Sequence, residues 1–401
     1  MSNGIRSADV VVVGGGIIGL AVAWRAREHG MSVTVLERDV TGRGTSYVAA
    51  GMLAPVAEVE FGEAGRRLLE LGLRSADLWP GFAAELERAS GAEVGLRRTG
   101  TLVVARDEDE ARELERQLAL RESLGLVAHR LRPSAARDLE PALAPAIRLA
   151  MQAPDDHSVD PRLVLTALRK ACENAGVDIR EHGAVESVML DGAGAQVVGL
   201  LRHGGERVLT DRVVLAAGAS TGQIEGLAGD AQVAVRPVKG QILRLRDPSG
   251  PGLVRRTVRF AGGYLVPRED GRYVLGATVE ERGFELSPTA GGVYELLRDC
   301  SEVVPGISEC QIEELCVGLR PGTPDNAPVI GPGAVAGLTW ATGHHRNGIL
   351  LAPLTAGLVV ETLLGKTEDP LLCACDPGRF MGISGRDLQS GELQSSIGAQ
   401  R

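Results

Sequence analysis

Apolar residues follow two rhythms along this chain. Asp9 to Val13 is a β-branched run without polar alternation, the pattern of a strand buried on both faces. Glycines follow, and Ile17 to Glu28 then reads as a helix that Gly30 ends. Ser32 to Glu37 predicts a second strand, so strand, helix and strand fit in about 30 residues, the size of a βαβ unit. Residues 64–90 and 108–125 read as charged, solvated helices flanking a strand over Gly100 to Ala105. Pro161 to Ala175 predicts an amphipathic helix with proline near its start. Strands are expected at Val177 to Ile179, Ala184 to Leu190 and Arg212 to Ala219. Residues 235–280 alternate with turn signals at Asp247 to Gly250 and Glu269 to Gly271, which predicts an antiparallel sheet. A late strand, Leu338 to Thr342, precedes an apolar helix over Gly348 to Leu364, and the chain after Phe380 is polar.

Composition narrows the classes. The chain has 401 residues, too many for one small core, and an apolar fraction of 44% that marks it as globular. Aromatics are only 3%, so any flat ligand is expected to lie against backbone and aliphatic groups. The net charge of -9 argues against nucleic acid and anionic membrane as partners. No apolar run reaches the roughly 20 residues of a membrane span, and the start lacks the form of a signal peptide, so a cytoplasmic location is expected. Cys172, Cys300, Cys310, Cys316, Cys373 and Cys375 form no C-x-x-C pair and do not join the histidines in zinc spacing. No metal and no disulfide framework are expected.

Gly14-Gly15-Gly16-Ile17-Ile18-Gly19 contains G-x-G-x-x-G after a strand and at the opening of a helix, the context that makes the motif a dinucleotide fingerprint. Gly14 permits the tight turn, Gly16 lets the backbone approach a pyrophosphate, and Gly19 lets helix and sheet pack closely. The helix start at Ile17 and Ile18 offers free N–H groups and a positive dipole end. Glu37 stands where a carboxylate accepts ribose hydroxyls. Arg38 beside it raises the case for a 2′-phosphate, which the acid would repel. This unit alone does not separate FAD from NAD. FAD is longer and touches more chain; Thr45 and Ser46, and the strand end at Ala217 and Gly218, are candidate second contacts.

These residues carry a family resemblance. Gly14 to Glu37, Gly42 to Ser46, Ala49 to Leu53, Val213 to Gly218, Pro237 to Gly240, Tyr264 to Arg268, Gly276 to Thr278, Gly318 to Asp325 and Gly343 to Pro353 resemble the D-amino-acid oxidase-like family of FAD proteins. Within it they are most similar to the bacterial glycine oxidases of thiamin biosynthesis. The resemblance implies an α/β and α+β fold. A Rossmann-like FAD-binding domain is expected from residues 1–85, 150–225 and 326–375. A discontinuous substrate-binding domain on an antiparallel sheet is expected from 86–149 and 226–325, with a polar tail at 376–401. It implies non-covalent FAD, since the position that carries a flavin-linked cysteine in some relatives is matched by Gly318, with Cys316 only nearby. The implied reaction is oxidation of glycine or another small amine to the imine, which hydrolyses to a keto acid and ammonia or feeds thiazole formation, while oxygen becomes hydrogen peroxide. A homo-oligomer is implied as well.

By position, Arg320 resembles the arginine that grips the substrate carboxylate, Tyr264 the tyrosine that closes over it, and Arg346 a second arginine near flavin and substrate. Gly51, Met52, Arg346, Asn347, Gly348 and Ile349 resemble residues lining the isoalloxazine, with the start of the last helix aimed at the flavin, and Ala50 is expected among the cofactor-binding residues. Val185 resembles the valine whose backbone meets the adenine. The chemistry suits these types: a guanidinium fork holds a carboxylate in fixed orientation, and a tyrosine adds one hydrogen bond while its ring excludes water. The structural alternative for Arg320 is a buried ion pair; for Tyr264, an ordinary strand aromatic. His344 and His345 invite a general-base role, against a packing or hydrogen-bonding one. Met52, Tyr47, Gly262 and Val279 are expected to shape the side-chain pocket, which would decide among glycine, sarcosine and D-alanine. A non-catalytic FAD-bearing subunit and a plain NAD dehydrogenase are the readings from other classes.

Overall fold

The structure, a computed structural model, describes residues 8–250, 252–366 and 368–380. The strand Val10–Val13 lies inside a six-stranded sheet because both of its faces are covered. The order is Val329–Pro332, Leu338–Thr342, Val213–Leu215, Val10–Val13, Val33–Leu36 and Asp178–Arg180. All neighbours are parallel except the first pair. Side chains alternate across a strand, so Val10 and Val12 join one core and Val11 and Val13 another. The first core is a helical layer of Ile17–Glu28, Gly62–Ser90, Pro161–Asn174 and Ala352–Leu363. Ala21, Ala23 and Ala26 keep the first helix thin where it packs. The second core is closed by a three-stranded sheet, Val185–Leu190, Val197–Arg202 and Arg207–Leu209.

The alternating stretch forms an eight-stranded sheet with the order Gln311–Gly322, Arg236–Arg246, Arg272–Gly276, Gly263–Pro267, Thr257–Phe260, Thr101–Ala105, Leu149–Ala153 and His129–Leu131. Its pairs are antiparallel except Thr257–Phe260 with Thr101–Ala105, which run parallel. Helix Ala290–Val303 covers one face through Leu296, Cys300 and Val303. The opposite face turns toward the six-stranded sheet and forms the roof of the cavity described below.

Two expected elements are shorter than their patterns suggest. The strand expected over 212–219 ends at Leu215, because Gly218 takes φ +55° and opens a 3-10 turn, Gly218–Gln223. The late helix begins at Ala352, not near Gly348. Pro353 has no N–H for the carbonyl of Ile349, so the regular ladder starts only there, and residues 346–351 form turns. The polar tail lies outside the described residues from 381 onward, while Pro377–Phe380 is a short 3-10 turn with Phe380 buried. No helix among the described residues is long and apolar enough to cross a membrane.

Candidate active site

Between the two sheets lies a cavity of about 1160 Å³, larger than the roughly 300–1,000 Å³ of most small-molecule sites. At one end its wall is main chain. Gly14 takes φ +107°, and a Cβ there would stand 2.4 Å from the carbonyl oxygen of Ala216. A Cβ on Gly19 would stand 1.9 Å from the carbonyl oxygen of Gly14, so Gly19 serves the packing of the helix and does not line the cavity. Gly16 does line it, and the nearest atom to a Cβ there is Ser46 Oγ at 3.5 Å. Helix Ile17–Glu28 starts with no side-chain cap from Gly16 and no acidic residue in its first turn. Ser46 Oγ accepts the Ile17 N–H at 3.2 Å. The Glu37 carboxylate is aimed by two backbone donors: Gly15 N–H to Oε2 at 2.7 Å and Asp39 N–H to Oε1 at 3.0 Å. A helix start open to the cavity, a glycine edge and a fixed carboxylate along one wall fit the phosphates and ribose of a dinucleotide.

The other expected residues of this end also line the cavity: Ile17, Ile18, Arg38, Thr45, Ser46, Ala50, Gly51, Met52, Val185, Ala217, Gly218, Gly348 and Ile349. Asn347 does not. Its N–H donates to the His344 carbonyl and its own carbonyl accepts from Leu351, so it serves the turn. Arg38 bridges the rim, donating to Ser220 Oγ at 2.9 Å and pairing with Asp39. The Thr45 hydroxyl is committed to the facing sheet: it donates to the Leu319 carbonyl at 2.9 Å and accepts the Leu319 N–H at 3.2 Å. Cys316 is buried outside the cavity wall, while Gly318 is on it.

At the other end the wall is side chains. Arg320 lies over Gly240, where a Cβ would meet its guanidinium at 2.5 Å. Nη1 donates to the carbonyls of Thr278 at 3.1 Å and Lys239 at 3.4 Å. Among the described residues no ion pair with a carboxylate is formed by Arg320; besides the two carbonyls, its guanidinium interacts with the Tyr264 hydroxyl. The buried-ion-pair alternative is therefore not what the structure shows. Burial, then the nearby Arg346 charge, holds its pKa below the ordinary arginine value, against the pull of Tyr264 and Glu58. Tyr264 lies over Gly276 in the same manner, its hydroxyl 2.6 Å from where a Cβ would be. Burial raises its pKa, so the phenol stays protonated and able to donate. Arg346 lines the cavity but differs from Arg320 in being paired, with Glu60 and, at 4.0 Å, with Glu58.

His344 and His345 both line the cavity. His344 is buried with Nε2 2.9 Å from Thr355 Oγ1, and burial lowers its pKa to about 3. His345 is lowered to about 3 by burial, then by Arg320, Arg346 and Arg236. Both imidazoles are neutral near pH 7. Met52, Gly262 and Val279 line the cavity as expected of pocket residues; Tyr47 does not. Its ring is held between the guanidiniums of Arg43 and Arg162, at 4.4 and 3.9 Å, a cation–π arrangement that turns it from the cavity.

Several site residues escaped the reading of the sequence. Arg259 lines the cavity and pairs with Glu58 at 3.0 Å. Its signal was the hairpin: a two-residue turn at Ala261 and Gly262 puts Arg259 directly opposite Tyr264. Arg162 and Arg244 donate to the Tyr47 carbonyl at 3.3 and 3.0 Å, and Arg268 donates to the Ala50 carbonyl at 2.8 Å. These three arginines clamp the loop that carries Thr45 to Met52, and no local pattern announces them. Gly240 and Gly276 sat in recognised segments, but their task of seating Arg320 and Tyr264 depends on strand register.

The chain matches the model of a family described as FAD dependent oxidoreductase over residues 9–362. Glycine oxidase of Geobacillus kaustophilus is 34% identical over 363 residues, 90% of this chain and 93% of that protein. The crystal structure of glycine oxidase from the same organism has a TM-score of 0.86 at 33% identity, covering 94% of this chain and 100% of that one. The bifunctional protein ThiO/ThiG of Trichormus variabilis is 35% identical over 374 residues. That match covers 93% of this chain but 55% of the relative, so the chain spans about half its length.

Proposed function

The chain belongs to the FAD dependent oxidoreductase family, and from that premise we propose that it oxidises the C–N bond of glycine or a similarly small amino acid to the imine. Oxygen is the final acceptor in this reading, and the product serves thiamin thiazole synthesis. The single observation that carries the reading is the Arg320 guanidinium over Gly240, without a carboxylate partner among the described residues and lining a cavity that suits a dinucleotide. With Nη1 occupied by carbonyls, Nε and Nη2 form the edge of the fork offered to a carboxylate, which fits it with two parallel bonds beside the Tyr264 hydroxyl. The support for glycine comes from the two glycine oxidase matches, which cover 90% or more of both chains.

In this proposal Gly14, Gly16, Ile17, Ile18, Glu37, Ser46, Val185, Ala217 and Gly218 hold the nucleotide part of FAD. Ala50, Gly51, Met52, Gly348 and Ile349 lie against its ring. When bound, FAD supplies the acceptor for the two electrons and the hydrogen that leave Cα. Arg320 fixes the substrate carboxylate, and Tyr264 donates from its protonated phenol and shields the site from water. No protein base is assigned. The neutral His344 and His345 add no positive charge beside the amine, and a desolvated cavity favours the uncharged amine that can release an electron pair. The six-stranded and eight-stranded sheets correspond in this reading to an FAD-binding and a substrate-binding unit. Sedimentation of the FAD-loaded protein tests the homo-oligomer that the family resemblance implies.

Anaerobic mixing with glycine, sarcosine and D-alanine, followed by flavin absorbance, tests the proposal. Glycine is expected to bleach the flavin. Bleaching by sarcosine or D-alanine alone moves the substrate assignment within the family; bleaching by none of the three overturns the amino-acid reading.

A further inference from the structure

Behind Arg320, on the face of strand Arg236–Arg246 opposite to the cavity, lies a second set of polar groups. Lys239 is fully buried, and its ammonium donates to the Ser287 carbonyl at 2.7 Å. Two carboxylates stand farther off, Glu280 at 3.7 Å and Glu285 at 3.9 Å. Glu280 Oε1 accepts from the Thr278 hydroxyl at 2.6 Å and from Gln241 Nε2 at 2.6 Å. Gln241 also exchanges bonds with Thr289, its Nε2 donating to the hydroxyl at 2.9 Å and its Oε1 accepting the N–H at 2.8 Å. Lys239 and Glu280 are further joined main chain to main chain, in an isolated antiparallel bridge. The loop over 278–289 is thus stapled along its length to the strand that carries Lys239 and Gln241.

This network ends on the guanidinium. The two carbonyls that hold Arg320 Nη1 belong to Lys239 and Thr278, one from each side of the staple. A buried ammonium is costly unless its partners compensate. A polar network in a low-dielectric interior fixes one arrangement when every member is satisfied. Here the arrangement it fixes is the distance between two carbonyls, and that distance decides which edge of the Arg320 fork is left free.

We propose that Lys239, acting through Glu280 and Thr278, is a positioning residue for Arg320. It holds the Nη1 side of the guanidinium against the sheet so that the Nε and Nη2 edge faces the incoming carboxylate. The inference rests on the carboxylate-binding role of Arg320 proposed above. Lys239 does not line the cavity, so its loss should loosen carboxylate binding without altering the reacting centre.

The test uses the full chain loaded with FAD and two ligands, acetate and the uncharged acetamide, titrated against flavin absorbance. Lys239→Met keeps the apolar stem and removes the charge. Glu280→Gln keeps the acceptor for Thr278 and Gln241 and removes only the charge facing Lys239, which covers the case in which Lys239→Met does not fold. Acetate affinity should fall about tenfold in Lys239→Met and a few-fold in Glu280→Gln. Acetamide affinity and FAD retention should be unchanged, and KM for glycine should rise while kcat changes less than twofold. Acetate binding that matches the parent in the folded variants overturns the positioning role while leaving Arg320 in place. Acetate binding that is indifferent to Arg320→Ala removes the role of Arg320 itself, and the inference with it.

Discussion

At one end of the cavity the wall is main chain: Gly14 and Gly16, the opening of a helix, and a carboxylate aimed by backbone N–H groups. At the other end it is side chains from separate strands. Arg320 comes from Gln311–Gly322, Tyr264 from Gly263–Pro267 and Arg259 from Thr257–Phe260, each facing inward through register. The glycine end needs close approach of backbone, which only hydrogen side chains permit, and those residues are contiguous in sequence. The arginine end needs charge without a partner, which depends on what the rest of the fold fails to supply. A local motif can specify the first; the second exists only after the sheets have paired.

The arginine end should accordingly give the larger binding effect from one substitution. Arg320→Ala removes the one guanidinium without a carboxylate partner among Arg259, Arg320 and Arg346 at this end of the cavity. Loss of about 2–5 kcal/mol is expected for a carboxylate ligand, the scale for breaking a desolvated charge pair. Titrating acetate into the FAD-loaded variant measures it, and an unchanged dissociation constant would falsify the carboxylate role. Arg346→Ala should cost less, because its guanidinium is already occupied by Glu58 and Glu60.

The glycine end should fail by strain instead of lost charge. A Cβ on Gly19 would stand 1.9 Å from the Gly14 carbonyl, backbone against side chain, with neither free to move. Gly19→Ala should therefore cost about 3 kcal/mol of stability, the upper part of the overpacking range, and release FAD more readily. Gly16→Ala should be milder for the fold, since the space before it is open to Ser46 and the cavity. Urea unfolding of both variants compares them; equal losses would mean that the two glycines do not have separate tasks.

The same contrast explains what could be read from sequence. The βαβ unit was legible because its strands are uninterrupted β-branched runs and its glycines sit at fixed offsets; Ile17–Glu28 begins and ends where its pattern says. The late helix was misplaced at its start because the apolar run continues through residues 348–351, while the single missing N–H of Pro353 sets the boundary. Arg320, Tyr264 and Arg346 were reached through family resemblance, not through spacing. Arg259, the seats at Gly240 and Gly276, and the clamp of Arg162, Arg244 and Arg268 on the loop at 44–52 depend on pairings between distant segments. Tyr47 was assigned to the pocket because it lies in the right loop; two flanking guanidiniums decide that it points elsewhere.

His344 lines the cavity and offers a pH handle on the fold. Its folded pKa of about 3 lies below the ordinary histidine value, so the folded state refuses a proton that the unfolded chain accepts. This contribution is complete above an unfolded pKa of about 6.5, and it is lost as pH falls toward 3; by pH 5 the loss is ~2 kcal/mol. His344→Gln keeps a polar group near Thr355 Oγ1 and cannot titrate, so its stability should drop by about that much less between pH 7 and pH 5. Equal drops in parent and variant would show that His344 is not the titrating group.

The smallest expected effect separates the two functions of one side chain. The Tyr264 ring lies over Gly276, while its hydroxyl stands on the cavity wall beside the Arg320 guanidinium, so the ring belongs to the fold and the hydroxyl to the site. Tyr264→Phe keeps the ring on its seat and removes one donor that burial keeps protonated. Unfolding stability should fall by no more than about 1 kcal/mol, because the ring packing is kept and only the hydroxyl contact with Arg320 is lost. Carboxylate binding should weaken by about 0.5–1.5 kcal/mol, the net worth of one hydrogen bond. A stability loss without a binding loss would reverse the assignment and make Tyr264 a packing residue. A loss as large as that of Arg320→Ala would mean that the hydroxyl, not the guanidinium edge, does most of the holding at this end of the cavity.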